Sequence, residues 1–121
     1  LKINEEEFGL FGSMFGLAGP FVERARETLR RFGLHYLIIT CGASESHVFA
    51  VEGHSVLATP RVAVRDTVGA GDSFTAAFCA ALCAGQGMRE AHRLAVDVSA
   101  YVCTQPGAMP ALPESLISRI R

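Results

Sequence analysis

From Ser73 to Ala84 the chain carries almost nothing but small and apolar side chains, and two glycines stand just ahead of this run, in Asp66-Thr-Val-Gly69-Ala-Gly71-Asp72. A helix of that composition has no polar face, so it must be enclosed on nearly every side by other elements. Strand-like and helix-like segments alternate around it. Leu1 to Ile3 reads as a strand end, and Asn4 as the cap of a helix opening with Glu5-Glu6-Glu7. Gly9, Gly12, Gly16 and Gly19 are expected to break that helix within a few turns. Pro20 reopens a better one, with Phe21, Val22, Ala25, Leu29 and Phe32 at helical spacing and Gly33 beyond its end. Tyr36 to Thr40 is a continuous β-rich apolar run, the pattern of a buried parallel strand.

Further along, His47 to Val51 and Ser55 to Ala58 read as a hairpin joined across residues 52–54, and Val62 to Val64 as a brief strand. Helices are expected from the run after Asp72, from Met88 to Cys103 and from Pro113 to Ile120. Helices between mostly parallel strands make the class α/β. The chain opens on Leu-Lys-Ile without a Met, in what reads as the end of a strand, so we read residues 1–121 as one portion of a longer polypeptide.

Charge and composition exclude several partners. A net charge of −1 leaves no electrostatic footprint for nucleic acid or an anionic membrane. No apolar run reaches the roughly 18 residues of a membrane span, and the first residues given do not read as a signal peptide. Cys41, Cys79, Cys83 and Cys103 form no C-x-x-C pair, which argues against zinc and thioredoxin chemistry. They read as buried, reduced thiols of a cytoplasmic protein, with Cys79 and Cys83 on one helix face. His35, His47, His54 and His92 show no ligand spacing. Arg24, Arg26, Arg30 and Arg31 alternate with glutamates, as on a solvated helix face.

The chemistry concentrates at Asp66 to Asp72. Glycines 69 and 71 lack the Cβ atoms that would keep a ligand from the backbone, and the helix start adds unpaired N–H groups and a positive dipole end. Such a loop suits phosphate oxygens. It is neither a Walker A loop, because no Gly-Lys-Ser/Thr follows, nor a dinucleotide fingerprint, because Phe74 stands at the third glycine position. By itself a Gly-x-Gly at a helix start is more often a tight turn than a binding site.

The longer string is more specific. Asp66-Thr67-Val68-Gly69-Ala70-Gly71-Asp72-Ser73-Phe74 resembles, residue for residue, the D-T-x-G-A-G-D-x-F signature of the ribokinase-like (PfkB) carbohydrate kinases. Leu1 to Glu7 resembles that family's strand followed by N-x-x-E, Thr40-Cys41-Gly42 its T-x-G nucleotide loop, and Thr104 to Ala108 its closing loop. The tail from Ser99 to Pro110 is similar to bacterial fructokinase-like members, a softer likeness. The resemblance implies a three-layer α/β/α fold with a mostly parallel sheet, of which this chain is the C-terminal, nucleotide-binding portion. The sugar-binding portion and lid would lie outside it, so the chain alone is expected to be inactive and prone to associate.

The same resemblance implies ATP-dependent phosphorylation of a sugar hydroxyl, fructokinase-like, in a cytoplasmic protein, with the full-length protein a candidate homodimer. Asp72 would be the base, and the amides of Gly69, Ala70, Gly71 and Asp72 the anion hole. Thr40, Gly42 and Ala43 would meet the nucleotide, joined by Gly71 and Asp72. Asn4 and Glu7 would organise Mg²⁺ indirectly, although Asn-x-x-Glu at a helix start is also a capping box. In many members K⁺ sits on backbone carbonyls, which here would be those of Asp66, Val68, Val102, Gln105 and Gly107. Three departures stand out: Glu45 replaces a glycine of the nucleotide loop, Val96 an asparagine, and Ala111 a serine that completes the K⁺ site. The alternatives are a kinase for another sugar, sugar acid or nucleoside, and a nucleotide-binding module that has lost transfer.

Overall fold

Asn4 starts the first helix as its local sequence dictates. In the computed structural model, which describes residues 1–121, β1 (Lys2–Asn4) runs straight into α1 (Glu5–Phe15). Asn4 Oδ1 accepts the Glu7 N–H and Glu7 Oε2 accepts the Asn4 N–H, both at 2.8 Å, a complete capping box. α1 passes through Gly9 and Gly12 and stops only at Gly16, whose φ of 65° is left-handed. The helix thus ends within a few turns as expected, at Gly16, but Gly9 and Gly12 do not interrupt it. Each interior glycine costs a helix about 1 kcal/mol, against about 1.5–3 kcal/mol for burying a side chain such as Phe8, which is 1% exposed.

The chain divides into two units, Leu1–Ala58 and Thr59–Arg121. In the first, α2 (Phe21–Arg31) leads to β2 (Leu37–Cys41), β3 (Glu45–Ala50) and β4 (Gly53–Ala58). The sheet order is β1-β2-β3-β4. The class is α/β as expected, and within this chain the sheet is mixed: β1 and β2 are parallel, while β2–β3 and the expected hairpin β3–β4 are antiparallel. The cause is loop length, because a parallel return needs a crossover of about a dozen residues, and residues 42–44 and 51–52 are hairpin turns. Phe8, Ala25, Leu29, Leu37, Ile39 and Phe49 form the core, with α1 and α2 supplying the first three. Of the arginines read as solvated, Arg30 and Arg31 are exposed, Arg31 also donating to the Phe15 carbonyl, whereas Arg24 and Arg26 are half-buried, and Arg26 donates to the Ala50 carbonyl and lies over the Phe49 ring.

The second unit holds α3 (Ala70–Cys83), α4 (Met88–Cys103) and the short α5 (Glu114–Ile117). α5 ends well before the expected Ile120. Val62 to Val64 forms no strand, because no neighbouring strand pairs with it, and Val64 is exposed. α3 packs along α4, burying Phe74, Ala77, Phe78 and Ala81 on one face. Its opposite face, with Asp72, Thr75, Ala76, Cys79 and Cys83, is exposed. The enclosure expected on nearly every side is thus only half present. The cysteines are free but not buried: Cys79 and Cys83 are exposed, Cys41 and Cys103 intermediate.

Candidate functional site: the loop that opens the third helix

Asp66 organises the approach to α3. Its Oδ1 accepts the Val68 N–H at 2.9 Å, turning the chain locally, and its Oδ2 accepts the Gly107 N–H at 3.3 Å. The N–H groups of Arg65 and Asp66 both donate to the Cys103 carbonyl, at 2.7 and 3.2 Å. One carboxylate and one carbonyl therefore pin the loop to the end of α4 and to the segment after it. Gly69 then takes φ 79°, and a Cβ built there would lie 2.6 Å from the Ala108 carbonyl oxygen and 2.9 Å from its Cα. Both the backbone angle and the closeness of Ala108 call for glycine at this position.

Gly69 is the N-cap of α3 and supplies no side-chain acceptor. The Ser73 N–H closes the first turn on the Gly69 carbonyl at 2.8 Å, and the Ala70 N–H donates to the Thr67 carbonyl at 3.2 Å. The N–H groups of Gly69, Gly71 and Asp72 make no hydrogen bond within the chain. Of the expected amide donors, Ala70 is thus committed internally, and the other three are available to a ligand. The carboxylate of Asp72 is exposed in the first turn, without an ion pair. Donors gathered at the positive end of a helix are suited to an anion, and an exposed carboxylate beside them to taking a proton.

The carbonyl set considered for K⁺ falls on the same two segments, residues 66–68 and 102–107. The Val102 carbonyl already accepts the Gln105 N–H at 3.1 Å. Ala111 offers no hydroxyl, and its carbonyl accepts the Tyr101 hydroxyl at 3.3 Å. Val96 is 5% exposed and belongs to the core, so it extends no polar group to a ligand.

The other predicted residues lie in the first unit, at the carboxyl end of its parallel strand pair, where ligands of open α/β sheets bind. Asn4 stands opposite Thr40 in register, with Glu7 bound to Asn4. Gly42, at φ 56°, turns the chain into β3 with open space where a Cβ would be, and Ala43 is exposed beside it. Cys41 lies at this end too. Burial first, then the negative charges of Glu5 and Glu45 and a hydrogen bond with Glu5, push its thiol pKa up.

One arrangement escaped the sequence. His47 Nδ1 meets His54 Nε2 at 2.9 Å, and His47 Nε2 meets Glu45 Oε1 at 3.1 Å. Only the hairpin brings the two rings together, through the pairing of His47 with Val56 and of His54 with Phe49. These side chains are not placed to hold a metal ion together.

The comparisons with known proteins cover nearly the whole chain and agree on one family. The profile of the pfkB family carbohydrate kinases matches residues 1–115. A ribokinase of Arabidopsis thaliana is 30% identical over 117 residues, which are 94% of this chain and 31% of that protein. The crystal structure of a ribokinase from Thermotoga maritima has a TM-score of 0.81 at 27% identity, over 99% of this chain and 41% of that one. A fructokinase of Vibrio cholerae O395, solved with fructose, ADP and calcium ion, has a TM-score of 0.76 at 25% identity, over 99% and 40% of the two chains. This chain spans less than half the length of each relative.

Proposed function

Because the chain belongs to the pfkB family of carbohydrate kinases, we propose that the polypeptide carrying it transfers the γ-phosphoryl group of ATP to a hydroxyl of a sugar or sugar-like alcohol. The carrying observation is the head of α3, where the unpartnered N–H groups of Gly69, Gly71 and Asp72 stand beside the exposed Asp72 carboxylate. Phosphoryl transfer passes through a loose transition state with negative charge on the transferring oxygens. Donors already fixed in place stabilise that charge without reorganising. Asp72 accepts the proton of the attacking hydroxyl as the new O–P bond forms and the bond to the ADP oxygen breaks.

Apart from Gly71 and Asp72, the nucleotide contacts proposed from the resemblance lie in the first unit. Thr40, in β2, and Gly42 and Ala43, in the turn after it, are the residues that would meet the nucleotide. Glu7 uses Oε2 for the cap, which leaves Oε1 for a water of a divalent cation, and Asn4 holds Glu7 in place. Mg²⁺, when bound with ATP, would neutralise phosphate charge. The proposed acceptor is fructose, on the likeness of the Ser99–Pro110 tail. A ribose-type acceptor is the second reading, favoured by the 30% identity with the Arabidopsis ribokinase.

The test is Asp72→Asn in the intact polypeptide, assayed with ATP over a panel of sugars and nucleosides. Transfer should fall by about 10²–10⁴-fold, with ATP binding by calorimetry and the urea midpoint unchanged. Near wild-type turnover would refute the assignment.

A further inference from the structure

We infer that Ser99, on α4, is a positioning residue for the anion-binding loop, acting through the Ala70 carbonyl on the Gly71 N–H; this deepens the proposed function and rests on it. Ser99 Oγ donates to the Ala70 carbonyl at 3.1 Å across 29 positions of sequence, in a part-buried setting. Its backbone is anchored on α4, where Val98 and Val102 are 3% and 1% exposed. The Ala70 C=O and the Gly71 N–H belong to one planar peptide unit, and no peptide bond of the chain is cis. In a trans unit the two groups point in opposite directions. A donor that grips the carbonyl therefore fixes the direction of the N–H, and polarisation along the unit makes that N–H a stronger donor.

A second hydroxyl treats the next peptide unit in the same way. Thr75 Oγ1 donates to the Gly71 carbonyl at 3.1 Å, and the N–H of that unit is Asp72's. Two consecutive unpartnered N–H groups thus each have a hydroxyl behind them, one from α3 itself and one from α4. The contacts of Asp66, Thr67 and Ala108 hold the loop ahead of these units. Ser99 is the only side chain outside α3 that grips either carbonyl. It ties the aim of Gly71 to the packing of α4 on α3.

The experiment compares wild type, Ser99→Ala, Ser99→Thr and Thr75→Val in the intact polypeptide by ¹H–¹⁵N spectra and by steady-state kinetics. Ser99→Ala should displace the Gly71 amide resonance more than that of Asp72, and Thr75→Val should do the reverse. Ser99→Thr, which keeps the hydroxyl, should leave Gly71 near its wild-type position. In Ser99→Ala, kcat should fall about two- to twelvefold, the equivalent of one net hydrogen bond, with KM for ATP unchanged; Ser99→Thr should recover it. An unmoved Gly71 resonance in Ser99→Ala, or equal losses of kcat in the Ala and Thr variants, would overturn the inference. If the wild type phosphorylates none of the sugars tested, the proposed function fails separately. The Gly71 resonance, read before and after addition of ATP, still decides the role of Ser99.

Discussion

Gly69→Ala isolates what holds the anion-binding loop in shape. The alanine would have to adopt φ 79° and place a methyl group 2.6 Å from the Ala108 carbonyl oxygen and 2.9 Å from the Ala108 Cα and Cβ. A left-handed backbone costs a non-glycine residue roughly 1–2 kcal/mol, and forcing an extra methyl into a closed space typically costs about 1–3 kcal/mol more. The sum is about 2–5 kcal/mol, measured as the loss of unfolding free energy in urea. Adding Ala108→Gly removes the Cβ but neither the carbonyl oxygen nor the Cα, so the double variant should recover only a minor part of the loss. A single variant losing less than about 1 kcal/mol, below the backbone term alone, would refute the reasoning. So would full rescue in the double variant, since the clash would then lie with the Ala108 side chain.

The cysteines should separate by environment. Cys79 and Cys83, exposed on α3, should be alkylated by iodoacetamide before Cys41 in a mass-spectrometric time course. Cys41 has its pKa raised by burial and by Glu5 and Glu45. Its neutral thiol is therefore favoured in the fold, and its contribution to stability is present below the ordinary thiol pKa and lost as pH rises through the raised one. Glu5→Gln should speed its alkylation above neutral pH, and an unchanged rate would contradict the attribution. Asn4→Ala should lower stability by about 0.5–2 kcal/mol through loss of the cap, while Asn4→Ser keeps a cap; urea unfolding of both variants checks this.

What could be read without the fold was local. The capping box needs only Asn4 and Glu7 at the right spacing, and both bonds formed. The loop into α3 was readable for the same reason, because Gly69, Gly71 and the helix start lie within one short string. Gly33, at φ 60°, likewise marks the end of α2. Readings failed where a partner had to be supplied from elsewhere. Val62 to Val64 has strand-like residues but no neighbour to pair with. Gly9 and Gly12 read as breakers, yet the burial of α1 holds the helix through them. Composition suggested buried thiols at Cys79 and Cys83, but α3 is covered by α4 on one face only.

The sequence by itself determined the capping of α1 and the family signature at Asp66 to Asp72, because each depends on residues within a few positions of one another. Which amides of that signature are used up is local as well, since Val68 turns to Asp66, Ala70 to Thr67 and Ser73 to Gly69. Only the tertiary structure decided what holds the loop in place: Asp66 accepts from Gly107, Ala108 closes on Gly69, and Ser99 donates to the Ala70 carbonyl. These partners lie tens of residues away in the chain, where the packing of α3 against α4 brings them, and no local pattern records that distance.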